Sequence, residues 1–229
     1  MLVTGSSRGI GLGLARHFVS VGYHVLGCSR GPSGWESEHY EHTMLDVADE
    51  PSVSKWVRRG RARWKRIDAL VCSAAFGPAS HPLALTGTDL WRDVMRTNVD
   101  GTFFVCREVG KLMAAQRYGR IVTLSSMAAA LHIEGTAAYS ASKSAIVEMT
   151  KVLAREMAPA GVTCNVVGIS LVMTEMVTAL GSSVTERALE RLTIKRPLSI
   201  EEVCHAVEFF CSRASSAVTG QVLQLGLVT

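Results

Sequence analysis

The chain has 229 residues, 48% of them hydrophobic and 19% charged, with a formal net charge of +4. That length suits one α/β domain across residues 1–229, with a substantial core, and leaves a second domain unexpected. The positive balance is too mild to demand a nucleic-acid partner, and no apolar run reaches the ~20 residues of a membrane span.

Six cysteines (Cys28, Cys72, Cys106, Cys164, Cys204, Cys211) stand at scattered positions without C-x-x-C or metal-ligand spacing. They read as reduced, buried small hydrophobes of a cytoplasmic protein, and no metal site is expected. The amino end begins as a strand rather than a charged leader, so secretion is not expected. The hydrophobic share is slightly high for a monomer, which predicts surface buried between subunits.

Leu2–Val3 is the first apolar run, kept short because only Met1-Leu2-Val3 precedes Thr4-Gly5-Ser6-Ser7-Arg8-Gly9-Ile10-Gly11. An amphipathic run from Leu12 to Val19 follows, so the segment reads strand, turn, helix. Glycines in such a turn bend the chain tightly and let the backbone approach a pyrophosphate, whose charge the helix start favours. A second run, Tyr23–Cys28, ends in Ser29-Arg30, and the crossover from Ser29 to Glu41 leaves little room for a full helix. His42–Leu45 leads to Asp46-Val47. Val53, Trp56 and Val57 mark a helix face, after which the basic run from Arg58 to Arg66 reads as a solvated surface turn rather than a nucleic-acid patch. Ala69–Cys72 runs into Ser73-Ala74-Ala75. Thr97-Asn98-Val99 precedes a helix, Arg120–Leu124 precedes Ser125-Ser126, and a long helix is expected from Tyr139 to Met157. Thr163–Val167 leads through Ile169-Ser170 to Thr174-Glu175-Met176, and Gln221–Leu225 is the last run. About seven strands alternating with helices predict a Rossmann-like, doubly wound parallel sheet with helices on both faces. Ligands in such sheets bind beyond the carboxyl ends of the strands, where the motifs above all fall.

Tyr139 and Lys143 are four apart, so a helix projects both from one face. A tyrosine hydroxyl ordinarily titrates near ~10, and a neighbouring ammonium favours the phenolate, which would make Tyr139 a usable acid or base at neutral pH.

With Ser126 thirteen positions upstream of Tyr139 and the Thr-Gly-x-x-x-Gly-x-Gly turn at Thr4–Gly11, the chain resembles the short-chain dehydrogenase/reductase superfamily over nearly its whole length, most closely in the style of the 3-oxoacyl-[acyl-carrier-protein] reductase group. The resemblance implies a catalytic tetrad of Asn98, Ser126, Tyr139 and Lys143. Tyr139 would exchange a proton with the substrate oxygen, Ser126 would hydrogen-bond that oxygen, Lys143 would hold the ribose and lower the tyrosine pKa, and Asn98 would position a water. The implied cofactor contacts are Gly5, Ser7, Arg8, Gly9, Ile10 and Gly11 in the turn, Ser29 and Arg30 after the second strand, Asp46 and Val47 at adenine, Ser73, Ala74 and Ala75, the tetrad members Asn98, Tyr139 and Lys143, then Ile169, and Thr174 at the carboxamide.

No carboxylate stands at the end of the second strand to hold a ribose 2′-hydroxyl; Arg30 and Arg8 suit a 2′-phosphate, so NADP(H) is expected over NAD(H). Ala75 and Ser170 replace glycines that line the cofactor in many relatives. The expected reaction is NADPH-dependent reduction of a ketone, 3-oxoacyl thioester-like, free or bound to a carrier protein near Arg117. A specialised ketone reductase or alcohol dehydrogenase is the alternative. A sensor that binds NADP without catalysis would usually lack the Tyr or the Lys. The apolar helices around Phe103 and Met149 predict a homodimer or tetramer.

Overall fold

The computed structural model describes residues 1–77, 80–178 and 182–228. Seven parallel strands form one sheet: β1 (Leu2–Thr4), β2 (Val25–Ser29), β3 (Tyr40–Met44), β4 (Ala69–Cys72), β5 (Gly119–Ser126), β6 (Val162–Ile169) and β7 (Val222–Gln224). Their order is β3-β2-β1-β4-β5-β6-β7. The chain therefore winds outward from β1 to β3, then crosses back to lay β4 on the free side of β1. The crevice at the carboxyl ends of β1 and β4 is the switch point at which such sheets bind ligands.

Strand residues alternate between the two faces, and both faces are apolar, as a parallel sheet covered on both sides requires. Val3, Val71, Val122 and Val167 pack on one side with Leu14, Ala15 and Phe18 of α1 (Gly9–Ser20) and Val203, Val207 and Phe210 of α9 (Ile200–Cys211). Leu2, Leu70, Ile121 and Cys164 pack on the other with α2 (Glu50–Trp64) and α4 (Gly101–Gln116), through Val53, Trp56, Val57, Val105, Val109 and Met113. The remaining helices are α3 (Thr88–Met95), α5 (Met127–Leu131), α6 (Ala137–Met157), α7 (Glu175–Thr178) and α8 (Ser182–Glu190). All six cysteines are free and buried, as expected. Among the described residues no cluster could hold a metal ion, and no helix is long and apolar enough to cross a membrane.

The basic run differs from the expectation of a surface turn. From Arg58 to Trp64 it forms the last turns of α2. Val53, Trp56, Val57 and Gly60 make one buried stripe, and a Cβ on Gly60 would lie 3.2 Å from Leu2 Cδ2, so glycine lets the helix sit close to the sheet. Arginine is a good helix former, and Arg59 and Arg63 on the outer side both pair with Glu41. Lys65, at φ 63°, ends the helix in the left-handed region.

Candidate active site

Gly5 and Gly9 have φ of +70° and +54°, a region that L side chains rarely adopt. Close approach also excludes side chains from the turn. A Cβ on Gly5 would stand 2.8 Å from the Ala74 backbone, and one on Gly11 would stand 2.2 Å from Gly5 O. The turns after β1 and β4 are joined by Thr4, whose Oγ1 accepts from Ser73 N (3.1 Å) and Ala74 N (3.0 Å). A Cβ on Gly9 would come within 3.4 Å of Thr174 Cγ2, so folding brings the far segment before α7 against the turn. This bare, tightly closed backbone at a helix start fits a dinucleotide pyrophosphate.

The tetrad residues gather along the same edge of the sheet. Ser126 ends β5 and caps α5, accepting from Ala128 N at 3.2 Å, which leaves its own O–H free to donate. Helix α6 docks on β5 through polar pairs. Lys143 Nζ donates to Leu124 O (2.9 Å), Ser125 Oγ donates to Lys143 O (3.3 Å), and Thr123 and Thr150 share a 2.9 Å hydrogen bond. Asn98 is fully buried in a π turn (Arg96–Asp100) between α3 and α4, the kind of helix irregularity that often marks functional sites. Its Oδ1 accepts from Phe76 N (2.7 Å), and its Nδ2 donates to Phe76 O (3.0 Å) and to Ser142 Oγ (3.0 Å). Ser142 in turn donates to Tyr139 O at 2.7 Å. The sequence reading missed this Ser142 link, whose partner lies 44 residues away. The Asn98 side-chain amide thereby clamps the loop after β4 and braces α6.

Burial pushes the Tyr139 hydroxyl above its ordinary range, and hydrogen bonding with Ser126 partly offsets that. Lys143 lies nearby. Its ammonium faces the Leu124 carbonyl, 5.6 Å from the Tyr139 ring centroid, and desolvation pulls its own pKa down to about 8.

The outlying residues are placed unevenly. Asp46 lies at the end of β3 with Oδ1 accepting from Ala48 N (3.0 Å) and Oδ2 near Arg96 (3.3 Å). Arg8 Nη1 donates to Glu175 Oε2 at 2.9 Å, both side chains being largely exposed, so that pair is weak and easily exchanged. Arg30 is exposed beside Ser29. Ala75 and Ser170 keep φ outside the left-handed region, so neither departure strains the backbone. Ser170 Oγ is buried without a partner. The Ile169 side chain packs in the core beneath the site. Arg117 lies just before β5 begins, at the other end of that strand from Ser126, donating to Pro159 O.

Comparisons agree with this geometry. A family model described as enoyl-(acyl carrier protein) reductase matches residues 5–225. The 3-oxoacyl-[acyl-carrier-protein] reductase FabG of Salmonella typhimurium is 31% identical, over 98% of this chain and 94% of its own length. Its counterpart from Aquifex aeolicus is also 31% identical, with the same coverage. Among solved structures, an actinorhodin polyketide ketoreductase variant with NADPH superposes with a TM-score of 0.89 at 30% identity, covering 98% of this chain and 94% of its own. ElxO with NADP bound gives a TM-score of 0.90 at 26% identity, covering 98% and 95%. With a glycine turn at the switch point and a Ser, Tyr, Lys and Asn along one sheet edge, the chain belongs to the short-chain dehydrogenase/reductase superfamily of NAD(P)-dependent oxidoreductases.

Proposed function

We propose that this protein reduces a ketone of the 3-oxoacyl type to a secondary alcohol, using NADPH. The observation that carries the reading is the gathering of Ser126, Tyr139, Lys143 and Asn98 on the sheet edge beside the glycine turn. When bound, the nicotinamide supplies the hydride. Tyr139 gives its phenolic proton to the substrate oxygen, and a hydroxyl that burial keeps protonated at neutral pH suits the reductive direction. Ser126 donates to the same oxygen, meeting the charge that develops there with a preplaced dipole. Lys143 holds the ribose hydroxyls, exchanging the Leu124 carbonyl for them. Arg8 and Arg30 receive the 2′-phosphate, Asp46 and Val47 the adenine, and Thr174 the carboxamide. FabG relatives carry names that specify acyl-carrier-protein substrates, which supports an acyl thioester, free or carrier-bound, as the substrate class. Six buried thiols fit a reducing, cytoplasmic setting.

Purified protein assayed with a panel of β-ketoesters and β-keto thioesters, with NADPH and NADH in parallel, tests the reading. NADPH is expected to be the better reductant. The Arg30→Asp variant is expected to weaken NADPH by roughly 1.5–3 kcal/mol, with little effect on NADH. Equal use of both cofactors by the wild type would overturn the NADP(H) assignment.

A further inference from the structure

Gly27, in the middle of β2, leaves its space to a polar cluster. A Cβ there would stand 2.1 Å from Ser6 Oγ and 2.7 Å from the Tyr40 hydroxyl oxygen. Two segments fill that space and a third adjoins them. Ser6 Oγ, in the turn before α1, lies 3.0 Å from the Tyr40 hydroxyl, which lies 2.9 Å from His42 Nδ1. On the other edge of the imidazole, Nε2 is 3.0 Å from Ser29 Oγ and 3.0 Å from Gly31 O. A carbonyl only accepts, so Nε2 donates to Gly31 O, while the Tyr40 hydroxyl lies within hydrogen-bond distance of both Nδ1 (2.9 Å) and Ser6 O (3.2 Å). Ser29 Oγ donates to the same Gly31 carbonyl at 2.8 Å.

The imidazole thereby ties the turn after β1 to the turn after β2. Their bases are already joined by Ser6 N donating to Cys28 O at 3.1 Å. Leu45 N already holds Ser29 O at 2.9 Å, and His42 adds a hold on the Ser29 side chain and on Gly31, beyond the strand. Each turn carries one arginine: Arg8 stands two residues past Ser6, and Arg30 stands between Ser29 and Gly31, the two residues that Nε2 faces.

We infer that His42 is a positioning residue for cofactor choice: by holding Ser29 and Gly31 on either side of Arg30, it keeps that guanidinium available, together with Arg8, to one phosphate monoester. This rests on the NADP(H) reading above. Long exposed side chains lose much of a binding contact to the entropy of ordering, and a fixed backbone reduces that loss. NADH, without the monoester, makes no demand on Arg30, so the effect is confined to NADPH.

Isothermal titration of the full-length protein with NADPH and with NADH tests this, alongside steady-state kinetics. His42→Ala is expected to weaken NADPH about tenfold, the scale of a lost pair of partly buried hydrogen bonds. NADH affinity and kcat at saturating NADPH should stay within about twofold. His42→Gln, whose amide can still reach Gly31, is expected to recover most of the loss. His42→Asn, which fills the space near Tyr40 but stops short of Gly31, should behave like His42→Ala and serves if the alanine variant does not fold. Wild type that prefers NADPH, with variants that keep that preference or weaken both cofactors equally, overturns the role of His42 alone. Wild type that binds both cofactors equally overturns the NADP(H) reading and the role together.

Discussion

Lys143 sits where catalytic need and folding stability conflict. It is 4% exposed, and desolvation lowers its pKa from 10.5 to about 8. A lowered ammonium pKa means that the unfolded chain binds more protons between pH 8 and 10.5, so the stability of the native state rises with pH across that window. Below pH 8 the full cost of burying the charge is present; above 10.5 both states are neutral and it is gone. Lys143→Met is expected to abolish turnover and to remove this dependence. The stability of wild type relative to the variant should therefore rise by roughly 2–3 kcal/mol between about pH 7 and about pH 10. Urea melts at the two pH values would show it, and a difference that stays flat would mean that the ammonium is better solvated than its burial implies. The pairing of Tyr139 with Lys143 was legible because the helical period puts positions four apart on one face. Where the Lys143 ammonium points was not, because Leu124 O, 19 residues earlier, meets it only after α6 docks on β5. The ion pair between Arg8 and Glu175, 167 residues apart, carries no local signal either.

At the scale of elements, the glycine turn shows why the strand-turn-helix pattern could be read in advance and its tightness could not. The positions of Gly5, Gly9 and Gly11 announce a bend. That Gly5 lies hard against the turn after β4 follows only from β1 and β4 being sheet neighbours. Gly5→Ala combines a left-handed φ with a 2.8 Å clash against backbone that cannot move aside. It is expected to lower the Tm and to weaken NADPH binding by more than about tenfold, measured by thermal melts and titration. Unchanged cofactor binding would show that the two turns can part freely. The same limit explains the basic run. Val53, Trp56 and Val57 signalled the start of α2, but the density of arginines hid the continuation of its apolar stripe to Gly60, which carries no side chain to reveal it.

For the whole molecule, the alternation of apolar runs specified the seven-stranded sheet, with element ends shifted by a few residues. Along α4 and α6, Val105, Val109, Met113 and Ile146 turn into the core. Phe103, Met149, Val152 and Leu153 instead line an open groove of about 340 Å³ between α4 and α6, with Phe103 43% and Val152 55% exposed. Burying that groove against its own copy would form an isologous interface and brace α6 behind Tyr139 and Lys143. A homodimer or tetramer is expected, the second interface of the tetramer including β7. Light scattering at micromolar concentration should give a multiple of 24.6 kDa, and Val152→Glu should shift it toward the monomer; an active wild type at the monomer mass would contradict this.

Hydride transfer from NADPH to a carbonyl carbon, with Tyr139 as the acid, is the step on which the proposed function rests. Incubating the protein with NADPH deuterated at nicotinamide C4 on the transferred face, and a β-ketoester, tests it most directly. Mass spectrometry is expected to find deuterium on the carbinol carbon, and Tyr139→Phe is expected to slow its appearance by a factor on the order of 10² to 10⁴ while NADPH still binds. Deuterium transfer that continues at the wild-type rate in Tyr139→Phe, or NADPH that binds wild type without ever losing its label to a ketone, would contradict it.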